Sequence, residues 1–298
     1  LHISGQYGID EQGKYSVVSR ETKAVKELLP PDILKYLLVM FPDAANENRG
    51  GTIYDQYCTA LPIETALAQS WNPEICFYCG DLVATEMDEY GVDFYLAPAL
   101  NLHRHILCGR NFEYFSEDPY LTGKLAAGIV RGVQSHRDRA SMLKHFVCNE
   151  QETNRLNSNS MVSERALRDI YMRPFEIAIK ESGPFAVMTS YNLLNGKHSS
   201  ERRDLVETVL REEWGFDGIV VSDWVGFKAE AEDKQKHPRA RAYKTVAAGN
   251  DLMMPGSKGH YDELLEKLHD PESPLTREGM EICAARVVSM AWKMKGEK

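Results

Sequence analysis

Short apolar runs alternate along this chain with longer stretches whose apolar residues recur at helical spacing. The clearest case spans 202–224. Leu205, Val209 and Leu210 share one helical face, Gly215 stops the helix, and Ile219, Val220 and Val221 follow as a run too short to be a helix. A β-branched run of that kind fits a strand covered on both faces, as in a parallel sheet, and this one ends in Asp223 and Trp224. The same rhythm predicts a helix over 61–90 broken at Asn72 and Pro73, then a strand over 92–97 ended by Pro98. A helix over 120–134 has Leu121, Leu125, Ile129 and Val130 as its buried stripe, and a strand over 140–147 carries Lys144 and His145 near its end. Another helix starts at Ser163 and Glu164 and divides at Pro174, and a strand over 185–190 follows. The stretch 227–250 is mostly helical and broken at Pro238, and 251–255 is a short strand. Helices over 262–269 and 276–295 come last, the second with Cys283, Val287, Met290, Ala291 and Met294 at helical spacing. Stretches 101–118, 149–161 and 192–200 are loops, and long loops inside compact domains are usually functional. Residues 1–42 are the least legible, with 33–41 fitting either a helix end or a strand.

Strand and helix alternate without an internal repeat or a linker, which predicts an α/β fold closed as a (β/α)8 TIM-like barrel, irregular in its first strands. One domain over 1–298 is expected, with 1–42 as a lead-in and 276–298 as the C-terminal helix. Charged residues at 27% and apolar residues at 43% are ordinary globular usage. A net charge of -9 gives no electrostatic reason to bind nucleic acid or an acidic membrane surface. No apolar run approaches the roughly 20 residues that span a bilayer. Six cysteines are too sparse for a disulfide scaffold, N-x-[ST] is absent, and no signal-peptide pattern follows Leu1. A cytoplasmic location is the default expectation, with secretion left open. Cys76 and Cys79 form a lone CxxC without the second pair of a zinc site, so no metal or organic cofactor is expected.

Four successive strand-end regions offer Arg110, then Lys144 and His145, then Met188 and Tyr191, then Asp223 and Trp224. Singly, each also suits a structural role: an arginine in a surface ion pair, a satisfied histidine, a methionine and a tyrosine in the core, a carboxylate capping a helix. Together they would gather cations, an imidazole, a carboxylate and an aromatic wall at one barrel rim. Such a pocket suits a sugar. The basic residues donate to hydroxyls, Trp224 faces the C–H side of a pyranose, and Asp223, held ionised by the nearby lysine and arginine, attacks or stabilises an anomeric carbon. Two other readings are an aldolase using Lys144 as a Schiff-base amine and a non-catalytic sugar-binding barrel.

Segments 101–123, 144–155, 163–175, 188–196, 212–224 and 248–256, in that order, resemble the barrel domain of glycoside hydrolase family three, and more narrowly its β-glucosidases. The resemblance implies a retaining mechanism on small β-linked sugars or glycosides with Asp223 as the nucleophile. It implies that Arg110, Lys144 and His145 bind sugar hydroxyls, that Met188 and Tyr191 line the subsite, and that Trp224 forms its wall. Glu113, Glu117 and Asp118 are expected to orient the cations. The family's sugar-binding aspartate falls at Asp43, six residues before Arg49, in a segment without the family's two glycines. The segment 148–152 departs from the loop that carries the acid/base histidine of the N-acetylglucosaminidase members. In the β-glucosidase branch the acid/base is a glutamate on a separate α/β sandwich domain that is absent from this chain, so a second domain or chain is the expected partner.

Overall fold

The computed structural model describes residues 3–9, 15–17, 52–155, 158–224 and 236–296. The chain divides into two compact units, Leu1–Leu61 and Pro62–Lys298. In the first, β1 (Ile3–Ile9) pairs antiparallel with β2 (Tyr15–Val17) and with β3 (Thr52–Cys58), giving the order β2-β1-β3. The stretch 33–41, Asp43 and residues 227–235 lie outside the described residues.

The second unit opens with two short-spaced helices, α1 (Glu64–Ala68) and α2 (Pro73–Tyr90). The Asn72 side chain caps α2 by accepting from the Glu74 N–H at 2.8 Å, and Gly91 ends it with φ of 66°. After β4 (Phe94–Tyr95) come α3 (Pro119–Val133), β5 (Ala140–Phe146) and the two-residue strand β6 (Asn159–Ser160). The next helix breaks where Pro174 demands it: a turn at Glu164–Ala166 and a π-wound stretch at Leu167–Tyr171 give way to α4 (Arg173–Ser182). Strand β7 (Ala186–Thr189) is followed by the hairpin of β8 (Leu193–Leu194) and β9 (Lys197–His198). Asn195 and Gly196, both at positive φ, make its turn, so the stretch expected as plain loop is a hairpin. A π-wound helix, Asp204–Glu213, leads to β10 (Ile219–Trp224). Then come α5 (Ala242–Ala247), β11 (Leu252–Met254), α6 (Lys258–Leu268) and α7 (Arg277–Lys295).

Five strands pair in parallel in the order β11-β10-β7-β5-β4. Each neighbour is the next long strand in sequence, so the order never reverses. That is how a barrel winds, whereas a doubly wound sheet has a switch point. The fold is the expected TIM-like α/β barrel class, of which these strands form one curled part. The pleat sends Leu143, Val187 and Val220 to one face, against residues of α2, α3 and α4. It sends Met142, Met188 and Val221 to the other, where Met290 and Met294 of α7 cover them. Each fully buried leucine or phenylalanine on the first face stabilises the fold by roughly 1.5–3 kcal/mol.

Helices α2 and α3 meet at backbone distance. A Cβ on Gly80 would stand 2.3 Å from the Ile129 carbonyl, one on Gly128 2.5 Å from that of Pro73, and one on Gly132 2.1 Å from that of Phe77. Nothing larger than hydrogen fits along that seam.

Candidate active site

The parallel sheet brings the carboxyl ends of β5, β7 and β10 side by side, and with them Lys144, His145, Tyr191, Asp223 and Trp224. Asp223 is 6% exposed. Its Oδ1 accepts from the Trp224 N–H at 2.9 Å, while Oδ2 is buried and accepts no hydrogen bond among the described residues. Burial pushes this carboxyl above the usual carboxylate range. The Trp224 N–H, a hydrogen bond from Tyr191 and the charges of Arg110 and Arg155 act the other way without cancelling it. Of the lysine and arginine expected to favour the ionised form, Arg110 does so, joined by Arg155, whereas Lys144 is not among the groups that lower this carboxyl. Lys144 Nζ lies 3.6 Å from Glu113 Oε2, and two arginines do not outweigh the loss of water.

His145 is 2% exposed, and its ring hydrogen bonds define its protonation. Arg110 Nη2 lies 3.0 Å from Nε2, and a guanidinium only donates, so Nε2 accepts. Nδ1 then carries the proton and faces Asn101 Oδ1 at 3.3 Å. Burial, then Arg110, Lys144 and Arg155, hold the ring well below its usual value, so it is neutral. Its 3.8 Å approach to Asp223 Oδ2 is thus neither an ion pair nor a hydrogen bond. Asn101, fully buried, fixes the residue from behind: Oδ1 accepts the His145 backbone N–H at 3.0 Å, and Nδ2 donates to the His145 carbonyl at 3.1 Å and to Glu150 Oε1 at 3.2 Å. Burial pushes Glu150 up to about 7.

Arg110 is held by Glu113, which also faces Lys144, and lies 3.9 Å from Glu152. Glu152 binds Arg155 at 2.9 Å, and that guanidinium stacks 4.8 Å over the Tyr191 ring. Glu113 thus orients both cations as expected. Glu117 and Asp118 do not: Glu117 takes the Ser116 hydroxyl, and Asp118 caps α3 by accepting from the Leu121 N–H at 2.8 Å. The Asp-Pro pair at a helix start is the signal that separates a cap from a ligand-orienting acid. Met188 is 3% exposed within the cluster under α7, paired with Val221 two residues before Asp223. Half-buried Glu64 accepts from the Ala99 N–H, and burial pushes its carboxyl well above the usual range despite Lys144 nearby. Sequence pattern did not single out Asn101, Glu150, Arg155 or Glu64, because each has a partner distant in sequence: His145, Asn101, Tyr191 and Ala99 respectively. Among the described residues, no group of histidine, cysteine or acidic side chains is arranged to hold a metal ion.

A family profile described as "Glycosyl hydrolase family 3 N terminal domain" matches residues 39–290. The chain belongs to glycosyl hydrolase family 3. It is similar to Beta-glucosidase A of Butyrivibrio fibrisolvens, 48% identical over 210 residues that cover 70% of this chain and 24% of that protein. It is also similar to the Exo-alpha-(1->6)-L-arabinopyranosidase of Bifidobacterium longum, 49% identical over 166 residues, or 56% of this chain and 22% of that one. Among solved structures, beta-glucosidase 3B from Thermotoga neapolitana in complex with glycerol superposes with a TM-score of 0.72 at 42% identity, covering 85% of this family 3 chain and 34% of that one. The chain thus spans 24% of the first of these curated relatives and 22% of the second.

Proposed function

We propose that this chain is the nucleophile-bearing barrel of a retaining β-glycosidase acting on terminal β-glucosides. Asp223 carries the reading: a buried carboxylate at the carboxyl end of a central strand, with one oxygen left without a donor among the described residues. Oδ2 attacks the anomeric carbon, the aglycone leaves, and water later releases the sugar from the glycosyl-aspartate. Arg110, Lys144 and neutral His145 serve the sugar hydroxyls, Trp224 forms the wall, and Tyr191 steadies the nucleophile. Asp43 and Met188 remain assigned to the same subsite. The carboxyl acid that protonates the leaving oxygen comes from a second domain or chain. A reducing compartment belongs to this reading, in which all six cysteines are thiols.

The aldolase alternative loses support because Lys144 faces the Glu113 carboxylate, in place of the apolar or cation-lined pocket that activates a Schiff-base amine. The test is covalent trapping. Incubation with an activated 2-deoxy-2-fluoro β-glucoside, followed by intact-mass analysis and peptide mapping, is expected to add one sugar to Asp223. Cellobiose, whose leaving group needs acid help, is expected to react poorly with the 298-residue chain alone. A folded, glucose-binding chain that takes no label would overturn the assignment and favour a sugar-binding barrel.

A further inference from the structure

Beside the Tyr191 turn lies a second cavity, of about 710 Å³, whose lining includes Lys197, Arg203 and Lys244. Among the described residues none of these three meets a carboxylate. Arg203 donates to the Ala247 carbonyl at 3.4 Å, Lys244 lies near the ring of its neighbour Tyr243, and Lys197 is exposed on β9. The one acid in the lining, Glu201, is already engaged by the Arg241 N–H at 2.7 Å. By comparison, Arg202, next to Arg203, clamps Asp204, and Lys258 clamps Asp262. These three exposed cations around a concavity of ligand size, in a protein of net charge -9, outnumber the single acid of its lining and give it an excess of positive charge.

The wall is fixed to the candidate active site by His198. Its Nδ1 lies 3.1 Å from the Tyr191 carbonyl and its Nε2 2.7 Å from the Pro238 carbonyl, so one side chain ties the Tyr191 turn to the Pro238 side of the cavity. We propose that this cavity is an anion-binding site for the phosphate, sulfate or carboxylate group of a small molecule. Two lysines and an arginine offer charge-assisted donors to tetrahedral or planar oxyanions, and such contacts weaken as salt rises.

Isothermal titration of the 298-residue chain with inorganic phosphate, at fixed ionic strength, tests this directly. Saturable one-to-one binding is expected. A Lys197→Gln/Lys244→Gln protein, checked for an unchanged melting curve, should bind phosphate at least about tenfold more weakly while its glucose affinity stays the same. A second arm asks where the anion resides. If a glucoside with an anionic aglycone binds more tightly than its neutral analogue, and the double variant erases that difference, the anion is part of the substrate. If only phosphate responds, it is a separate ligand. Either result supports the site. Absence of saturable phosphate binding, binding unaffected by the double variant, or binding of an acidic polypeptide without any binding of phosphate would overturn it.

Discussion

Two buried aspartates sit at opposite ends of the same pair of strands, and they are treated in opposite ways. Asp251, at the amino end of β11, has no exposed side-chain surface and is saturated with donors: Arg211 Nη2 and the Val220 N–H each reach Oδ2 at 2.7 Å, and Arg286 Nη1 reaches Oδ1 at 3.4 Å. Asp223, at the carboxyl end of β10, has an oxygen with no donor among the described residues. Burial raises both carboxyls above the usual range. Titration alone therefore does not tell the structural acid from the reactive one. Unused hydrogen-bonding capacity does, because a carboxylate already fully bonded cannot attack, and one left short of partners is costly to the fold unless a substrate completes it.

Asp223→Asn gives the largest effect. Glycosylation by an activated glucoside should fall by roughly 10⁴-fold or more. At neutral pH the variant should also be more stable, by about 0.5–2 kcal/mol in urea, since a buried charge has gone. A carboxyl raised in the folded state stabilises most below its unfolded pKa and loses that contribution as pH rises. The gain from Asn should therefore shrink toward acid, and a variant less stable than the parent at neutral pH would break the contrast. Asp251→Asn should do the reverse. It leaves Arg211 buried without its closest counter-charge and should cost about 3–5 kcal/mol, while the folded fraction still labels at Asp223. Loss of labelling without loss of stability would reverse the two roles.

Glu150 lies between these cases, buried but with Asn101 as its one side-chain donor among the described residues. Its folded value of about 7 stands above the ordinary 4.5, so its stabilisation is complete below the latter and is lost as pH climbs to the former. Glu150→Gln keeps an acceptor for Asn101 and should flatten the melting temperature between those two pH values, a difference of roughly 1–3 kcal/mol. The smallest effect is expected at the edge of α2. There His136 joins Asp88 at 2.5 Å and Asp81 at 3.1 Å, and the Asp88 hydrogen bond raises the imidazole. Its contribution is present below the unfolded histidine value and fades as pH rises through the folded one. Solvent screening keeps His136→Gln under about 1 kcal/mol, which melting curves at pH 5.5 and 8.5 would show converging at the higher pH.

Much of the barrel was legible because its strands are apolar runs and its helices have clean stops. Ile219 to Val221 and the cap at Asn72 follow from local chemistry alone. The hairpin at 193–198 was missed even though Asn195 and Gly196 signal it, since β8 and β9 are only two residues each. The antiparallel sheet near the start was hidden by Gly5 and Gly8, which dilute the alternation of Ile3, Tyr7 and Ile9. In the candidate site, residues that carry charge at strand ends stood out. Asn101 did not, because an amide in a polar loop declares its role only when β5 folds against it.

The glycine seam between α2 and α3 sets a limit on engineering. Two helices joined without side chains between them cannot be exchanged singly for segments of a relative, since the incoming helix would have to bring the matching glycines at the same heights. A chimera with a crossover between residues 91 and 118 would divide the pair. One that carries 73–133 as a block keeps it, and that block is the natural unit for shuffling this barrel against its family.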